Sequence, residues 1–146
     1  MEKRARRETH FISQEPHEVR DEAMQDGPIG LHAFLAPKMK LWIVFADQVQ
    51  LGYGRAELLW TIDELGSIRK AAAQFGMSYR RVWGYLQELE SAAGFRFLER
   101  RVGGWGHGGA SLTPQGRAFL AQYEAWREQV EALVRQSFTE HFPPSS

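Results

Sequence analysis

Gly66–Ala93, GSIRKAAAQFGMSYRRVWGYLQELESAA, is the stretch whose reading decides the fold. Ser67 suits a helix N-cap, because its hydroxyl can accept from a backbone N–H left unpaired in the first turn. Ile68, Ala71, Ala72 and Phe75 follow at the i, i+3, i+4, i+7 spacing of a helix with one buried face. Gly76 supplies a left-handed residue to end that helix. Ser78 caps a second one, with Met77 and Val82 placed as a hydrophobic staple. Neither cap has Glu or Gln at its third position, so neither is a full capping box. Two helices joined by a short turn containing Gly form the helix-turn-helix pattern.

The second helix carries the functional information. Tyr79, Val82, Trp83, Leu86, Leu89 and Ala93 make its expected apolar stripe, and Arg80, Arg81, Gly84, Tyr85 and Gln87 fall on other faces. A helix offering Ser, two Arg and a Gly near its N-terminus suits the DNA major groove. Arg can read guanine through two hydrogen bonds, and Gly lets the backbone approach closely. On this stretch alone, an ordinary helical pair with a solvated basic face competes with that reading.

The chain of 146 residues is long enough for one domain with extensions. Its 43% apolar and 25% charged residues describe a globular chain. The absence of cysteine excludes disulfides and thiolate metal sites. His10, His17, His32, His107 and His141 form no HxxH or HExxH pair, so no metal site is expected. The apolar region Ile29–Ala46 is broken by His32, Pro37, Lys38 and Lys40, so no membrane span is expected. Lys3–Arg7 leads into Glu8-Thr9-His10 rather than an apolar signal region, so a cytoplasmic location is expected. Formal net charge is zero, yet residues 67–113 hold seven basic and three acidic side chains. Local charge governs phosphate contact.

Residues 1–37 read as a flexible or loosely packed extension, polar and without sustained periodicity. Lys38–Phe45 and Val49–Leu51 read as a β-hairpin turning at Ala46–Gln48, with Gly52-Tyr53-Gly54 ending it. Arg55–Leu65 reads as a helix burying Leu58, Leu59, Ile62 and Leu65. Phe95–Val102 reads as a strand, followed by the glycine run Gly103–Gly109 and a second extended run, Ala110–Leu112. Thr113-Pro114 starts a helix reaching about Phe138, with Pro where its missing N–H costs nothing. Its stripe of Phe119, Leu120, Tyr123, Trp126, Val130, Leu133 and Val134 is suited to a dimer contact, and residues 139–146 read as a frayed tail.

This order predicts a mainly α chain with small β: a winged helix-turn-helix with an N-terminal β-hairpin over 38–113, then a dimerisation helix over 114–138. Gly104-x-Gly106-x-x-Gly109 formally matches a dinucleotide fingerprint, but no βαβ unit surrounds it and no Gly-Lys-Ser/Thr follows. No cofactor is expected. Asp63, Glu64, Glu88 and Glu90 read as solvating charges, and no nucleophile–base set can be named, so no enzyme is expected.

Two segments, GSIRKAAAQFGMSYRRVW and FLERRVGGWGHGGASLTPQGRAFLAQYE, resemble the N-terminal winged-helix domain of ModE-type molybdate-responsive regulators. The preceding KLWIVFADQVQLGYGRAELLWTIDELGS is similar to the segment before it in that group. The resemblance covers roughly residues 38–136, and extends more distantly to LysR-type regulators. It implies a homodimer on a palindromic operator in double-stranded DNA, read by the helix starting at Ser78. The candidate DNA-contacting residues are Ser67, Lys70, Ser78, Tyr79, Arg80, Arg81, Gly84 and Tyr85 on the helices. On the wing they are Arg100, Arg101, Gly103, Gly104, Trp105 and His107. Molybdate-sensing members carry a separate β-rich oxyanion-binding domain, which residues 1–146 do not display, so molybdate binding by them is not expected. The alternative is a protein-interaction module built on a winged helix, suggested by Trp105 and the apolar terminal helix. It differs from the leading reading in its salt response, since DNA binding weakens steeply with salt.

Overall fold

The computed structural model describes residues 35–101 and 109–144. The described residues divide between two compact units, one within Met39–Leu133 and the other holding residues 35–38 and 134–144.

The unit Met39–Leu133 opens with an antiparallel hairpin of β1 (Ile43–Phe45) and β2 (Val49–Leu51), paired Ile43 to Leu51 and Phe45 to Val49. Its strands are shorter than the sequence pattern suggests, since pairing begins only at Ile43. Ala46 and Asp47 both take positive φ, 51° and 54°, and the Gln48 N–H donates to the Phe45 carbonyl at 3.0 Å. Helix α1 (Tyr53–Leu65) follows directly, so Tyr53 and Gly54 join the helix rather than close the hairpin. Leu58, Leu59 and Ile62 are buried as the spacing predicts, whereas Leu65 at the helix end is 40% exposed.

Gly66 ends α1 in the left-handed conformation at φ 66°, and α2 (Ile68–Gln74) begins one residue later. The Ser67 hydroxyl accepts from the Lys70 N–H at 3.1 Å, which is the cap its position suggests. After the turn through Gly76 (φ 65°), the Ser78 hydroxyl does the same for the Arg81 N–H at 3.1 Å, starting α3 (Tyr79–Ala93). Met77 packs against the core that contains fully buried Val82, so both positions of the expected staple are turned to the same core.

The wing is β3 (Leu98–Arg101) paired antiparallel with β4 (Gly109–Leu112), Leu98 opposite Leu112 and Arg101 opposite Gly109. Phe95, Arg96 and Phe97 precede the strand, and the two phenylalanine rings pack into an aromatic cluster instead. Phe95 and Phe97 lie 4.6 Å apart by centroid, and Phe97 meets Phe119 edge-on at 5.6 Å and Phe45 at 6.2 Å. That cluster binds the hairpin, the wing and the last helix into one core.

Helix α4 (Pro114–His141) is capped by Thr113, whose hydroxyl accepts from the Gly116 N–H at 2.9 Å and donates to the Arg96 carbonyl. Gly116 is needed where α4 passes the segment leading into β3, because a Cβ there would stand 2.6 Å from the Phe97 carbonyl oxygen. Leu120 and Tyr123 are buried, and the Tyr123 phenol donates to the Leu41 carbonyl at 2.8 Å. The helix runs three residues beyond the Phe138 end that the sequence suggests, and its last part belongs to the second unit. There the Phe138 and Phe142 rings stack at 4.9 Å, one helical turn apart. Among the described residues no helix is long and apolar enough to cross a membrane.

Candidate nucleic-acid interface

Helix α3 is buried along Val82, Leu86 and Leu89, spaced i, i+4, i+7. The opposite face, at the same kind of spacing, carries Arg80, Gly84, Gln87 and Ser91, with Arg81 beside them. Arg80 and Arg81 are exposed at the N-terminal end of the helix. Gly84 lies at the centre of this face, and a Cβ built on it meets nothing within 4 Å. The fold itself therefore makes no steric demand for glycine there, in contrast to Gly116.

The stripe inferred from the sequence is too wide. Tyr79 and Trp83 are 40% and 41% exposed rather than buried. Only three positions of α3 meet the core squarely, and these two rings fall on its flank. Each lies under a guanidinium: Arg69 of α2 is 4.8 Å from the Tyr79 ring centre and Arg100 of β3 is 5.6 Å from that of Trp83. Such pairs are attracted through the ring quadrupole. Arg69 and Trp83 thus join the basic, aromatic outer face, although sequence reasoning assigned neither to it. The charge of residues 67–101 was visible in the sequence, but which rings flank it was not.

Other candidate residues have visible internal roles. The Ser67 and Ser78 hydroxyls are engaged as helix caps. Lys70 is exposed on α2. Tyr85 turns towards the hairpin, where its phenol donates to the Gln50 carbonyl at 3.2 Å and Arg55 donates to the same oxygen at 2.7 Å. The Arg55 guanidinium covers the Tyr85 ring at 4.2 Å. Burial pushes the Tyr85 phenol up to about 12, only partly offset by the Arg55 charge. Burial likewise raises the Tyr123 phenol. Gly103, Gly104, Trp105 and His107 lie outside the described residues.

Asp63 and Glu90 do more than solvate a helix face. One Glu90 oxygen accepts from the Phe97 and Leu98 N–H groups at 2.8 and 3.4 Å, and the other from Arg100 at 3.2 Å. Asp63 accepts from the Leu112 N–H at 2.8 Å and from Arg117 at 2.8 Å. The Gly66 carbonyl also accepts from the Ala110 N–H at 3.1 Å. Both wing strands are therefore fixed to the helical layer through charge-assisted bonds, β3 to α3 and β4 to α1. Arg100 sits at this joint between Glu90 and Trp83, while Arg101 at the outer end of β3 is exposed.

A three-helix layer, a helix-turn-helix with a basic outer face and a β-wing anchored beside it define a winged helix-turn-helix domain. Comparison with known proteins gives the particular kind. Residues 54–117 match the family model of the bacterial regulatory helix-turn-helix proteins, lysR family. The chain is 34% identical over 85 residues to the molybdenum-pterin-binding protein MopB of Rhodobacter capsulatus, covering 58% of this chain and 32% of MopB. It is 38% identical over 80 residues to the molybdenum transport protein ModE of Herbaspirillum seropedicae, covering 54% and 30%. It is 36% identical over 70 residues to the DNA-binding transcriptional dual regulator ModE of Escherichia coli (strain K12), covering 48% and 27%. The match thus spans about a third or less of the length of these relatives. Residues 54–117 are thus similar to the helix-turn-helix of the lysR family of bacterial regulators and to part of ModE.

Proposed function

We propose that the chain is a DNA-binding transcription regulator that acts as a homodimer on a palindromic operator. In each protomer α3, starting at Ser78, enters a major groove, and the two helices occupy successive turns about 34 Å apart. Arg80 and Arg81 contact base edges or phosphates from the outer face. Lys70 and Arg101 contribute phosphate contacts that set the register. The observation that carries this reading is the exposed Arg80–Arg81 pair beside Gly84, on a face that forms no ion pair among the described residues. Trp126 and Leu133 of α4, 41% and 57% exposed within the unit Met39–Leu133, support a second protomer as the cover of that helix.

The test begins with a random duplex pool presented to the full chain, followed by anisotropy titration of a recovered duplex at two salt concentrations. Steep weakening with salt is expected. Arg80→Ala or Arg81→Ala is expected to cost about 1–3 kcal/mol where the residue reads a base. Salt-insensitive binding, or full affinity in both variants, would overturn the assignment of α3. Sedimentation of the free chain tests the dimer, and a monomer at concentrations well above the operator Kd would remove that part of the reading.

A further inference from the structure

We infer that Tyr79 and Trp83 read thymine through its 5-methyl group, an inference that rests on α3 being the DNA-reading helix. Both rings sit on the flank of α3 and keep about two-fifths of their surface exposed. A large apolar surface of this kind needs a reason beside the exposed cations Arg69 and Arg80. Each ring is held beneath a guanidinium, Arg69 over Tyr79 and Arg100 over Trp83. Glu90 in turn binds Arg100, so the Trp83 ring rests against a group fixed to the α3–β3 joint. The rings are thus steadied in place while part of each remains open to a partner.

Arg69 and Arg80, both exposed beside these rings, match a polyanion better than an apolar protein surface. Within a DNA major groove the apolar group on offer is the C5-methyl of thymine, and every other base edge presents hydrogen-bond donors or acceptors. Tyr79 and Trp83 are one turn apart, which places them about 6 Å apart along the helix axis. That span matches about two base-pair steps of 3.4 Å. The pair therefore suits a site with thymines near one another, and Arg80 supplies polar contacts beside them.

The experiment compares a duplex recovered by the full chain with the same duplex made with deoxyuridine in place of thymidine. The two differ only in methyl groups. The unsubstituted duplex is expected to bind about fourfold more tightly for each contacted methyl, from the transfer energy of one buried carbon. Trp83→Ala is expected to reduce this preference, and Tyr79→Ala combined with Trp83→Ala to abolish it, while the salt dependence stays unchanged. Should Trp83→Ala fail to fold by circular dichroism, Tyr79→Ala and Trp83→Gln carry the same comparison. Equal binding of the two duplexes by the unaltered chain overturns the inference and leaves the DNA-binding reading in place. The same holds for a preference that survives in the variants. Recovery of no duplex at all overturns both.

Discussion

Replacing Gly84 by alanine separates what the fold requires from what a partner requires. Gly84 is in the interior of α3, in helical backbone, and an added methyl meets no atom within 4 Å. The free protein should then gain the helix-propensity difference between Gly and Ala, about 0.8–1.0 kcal/mol. For a unit of roughly a hundred residues this raises Tm by about 4–8 °C. In the DNA complex the same methyl would occupy space between helix and groove. Overpacking of a close contact costs about 1–3 kcal/mol, which is about five- to 150-fold in Kd. Thermal unfolding by circular dichroism and anisotropy titration on a recovered duplex measure the two effects on one preparation. A more stable variant that binds DNA with unchanged affinity would refute the close approach of this face. A less stable variant would refute the open placement of Gly84 itself.

Three further outcomes follow from the wing and the hairpin. Gly116→Ala places a methyl 2.6 Å from the Phe97 carbonyl oxygen, and should destabilise the domain by about 1–3 kcal/mol in urea unfolding. Glu90→Ala strips the Phe97 and Leu98 N–H groups of their acceptor. It should lower unfolding free energy by about 1–3 kcal/mol, with faster amide exchange at both residues. Tyr85, raised to about 12, should ionise at a higher pH than an ordinary phenol in an ultraviolet titration. Because the folded form holds this proton more tightly, its contribution to stability is complete below pH 10 and is lost as pH rises towards 12. Tyr85→Phe should remove that loss, seen as a flatter stability profile through the window.

The helix-turn-helix was legible because its signals are local. Ser67 and Ser78 cap the N–H groups three residues on. Gly66 and Gly76 take the left-handed backbone that ends each preceding helix. The core positions Val82, Leu86 and Leu89 lie on one side by helical periodicity alone. Thr113-Pro114 likewise announces α4 through a bond to the Gly116 N–H. None of these depends on what packs where.

Tertiary placement decided the rest, because the deciding partners are distant in the chain. Asp63 reads as a surface charge until Leu112 and Arg117 are brought to it across 49 and 54 residues. The Tyr85 phenol reads as free until Gln50 arrives from the hairpin. Trp83 belongs to the apolar stripe by spacing, yet the width of that stripe depends on how far the core extends around α3. Sequence by itself determined the helices, their caps and the cationic start of α3 at Arg80 and Arg81, since propensity and charge travel with the residue. Which side chains remain on the surface, and which carboxylates lock the wing, came only from the packing of helices, hairpin and wing, because burial is a property of neighbours.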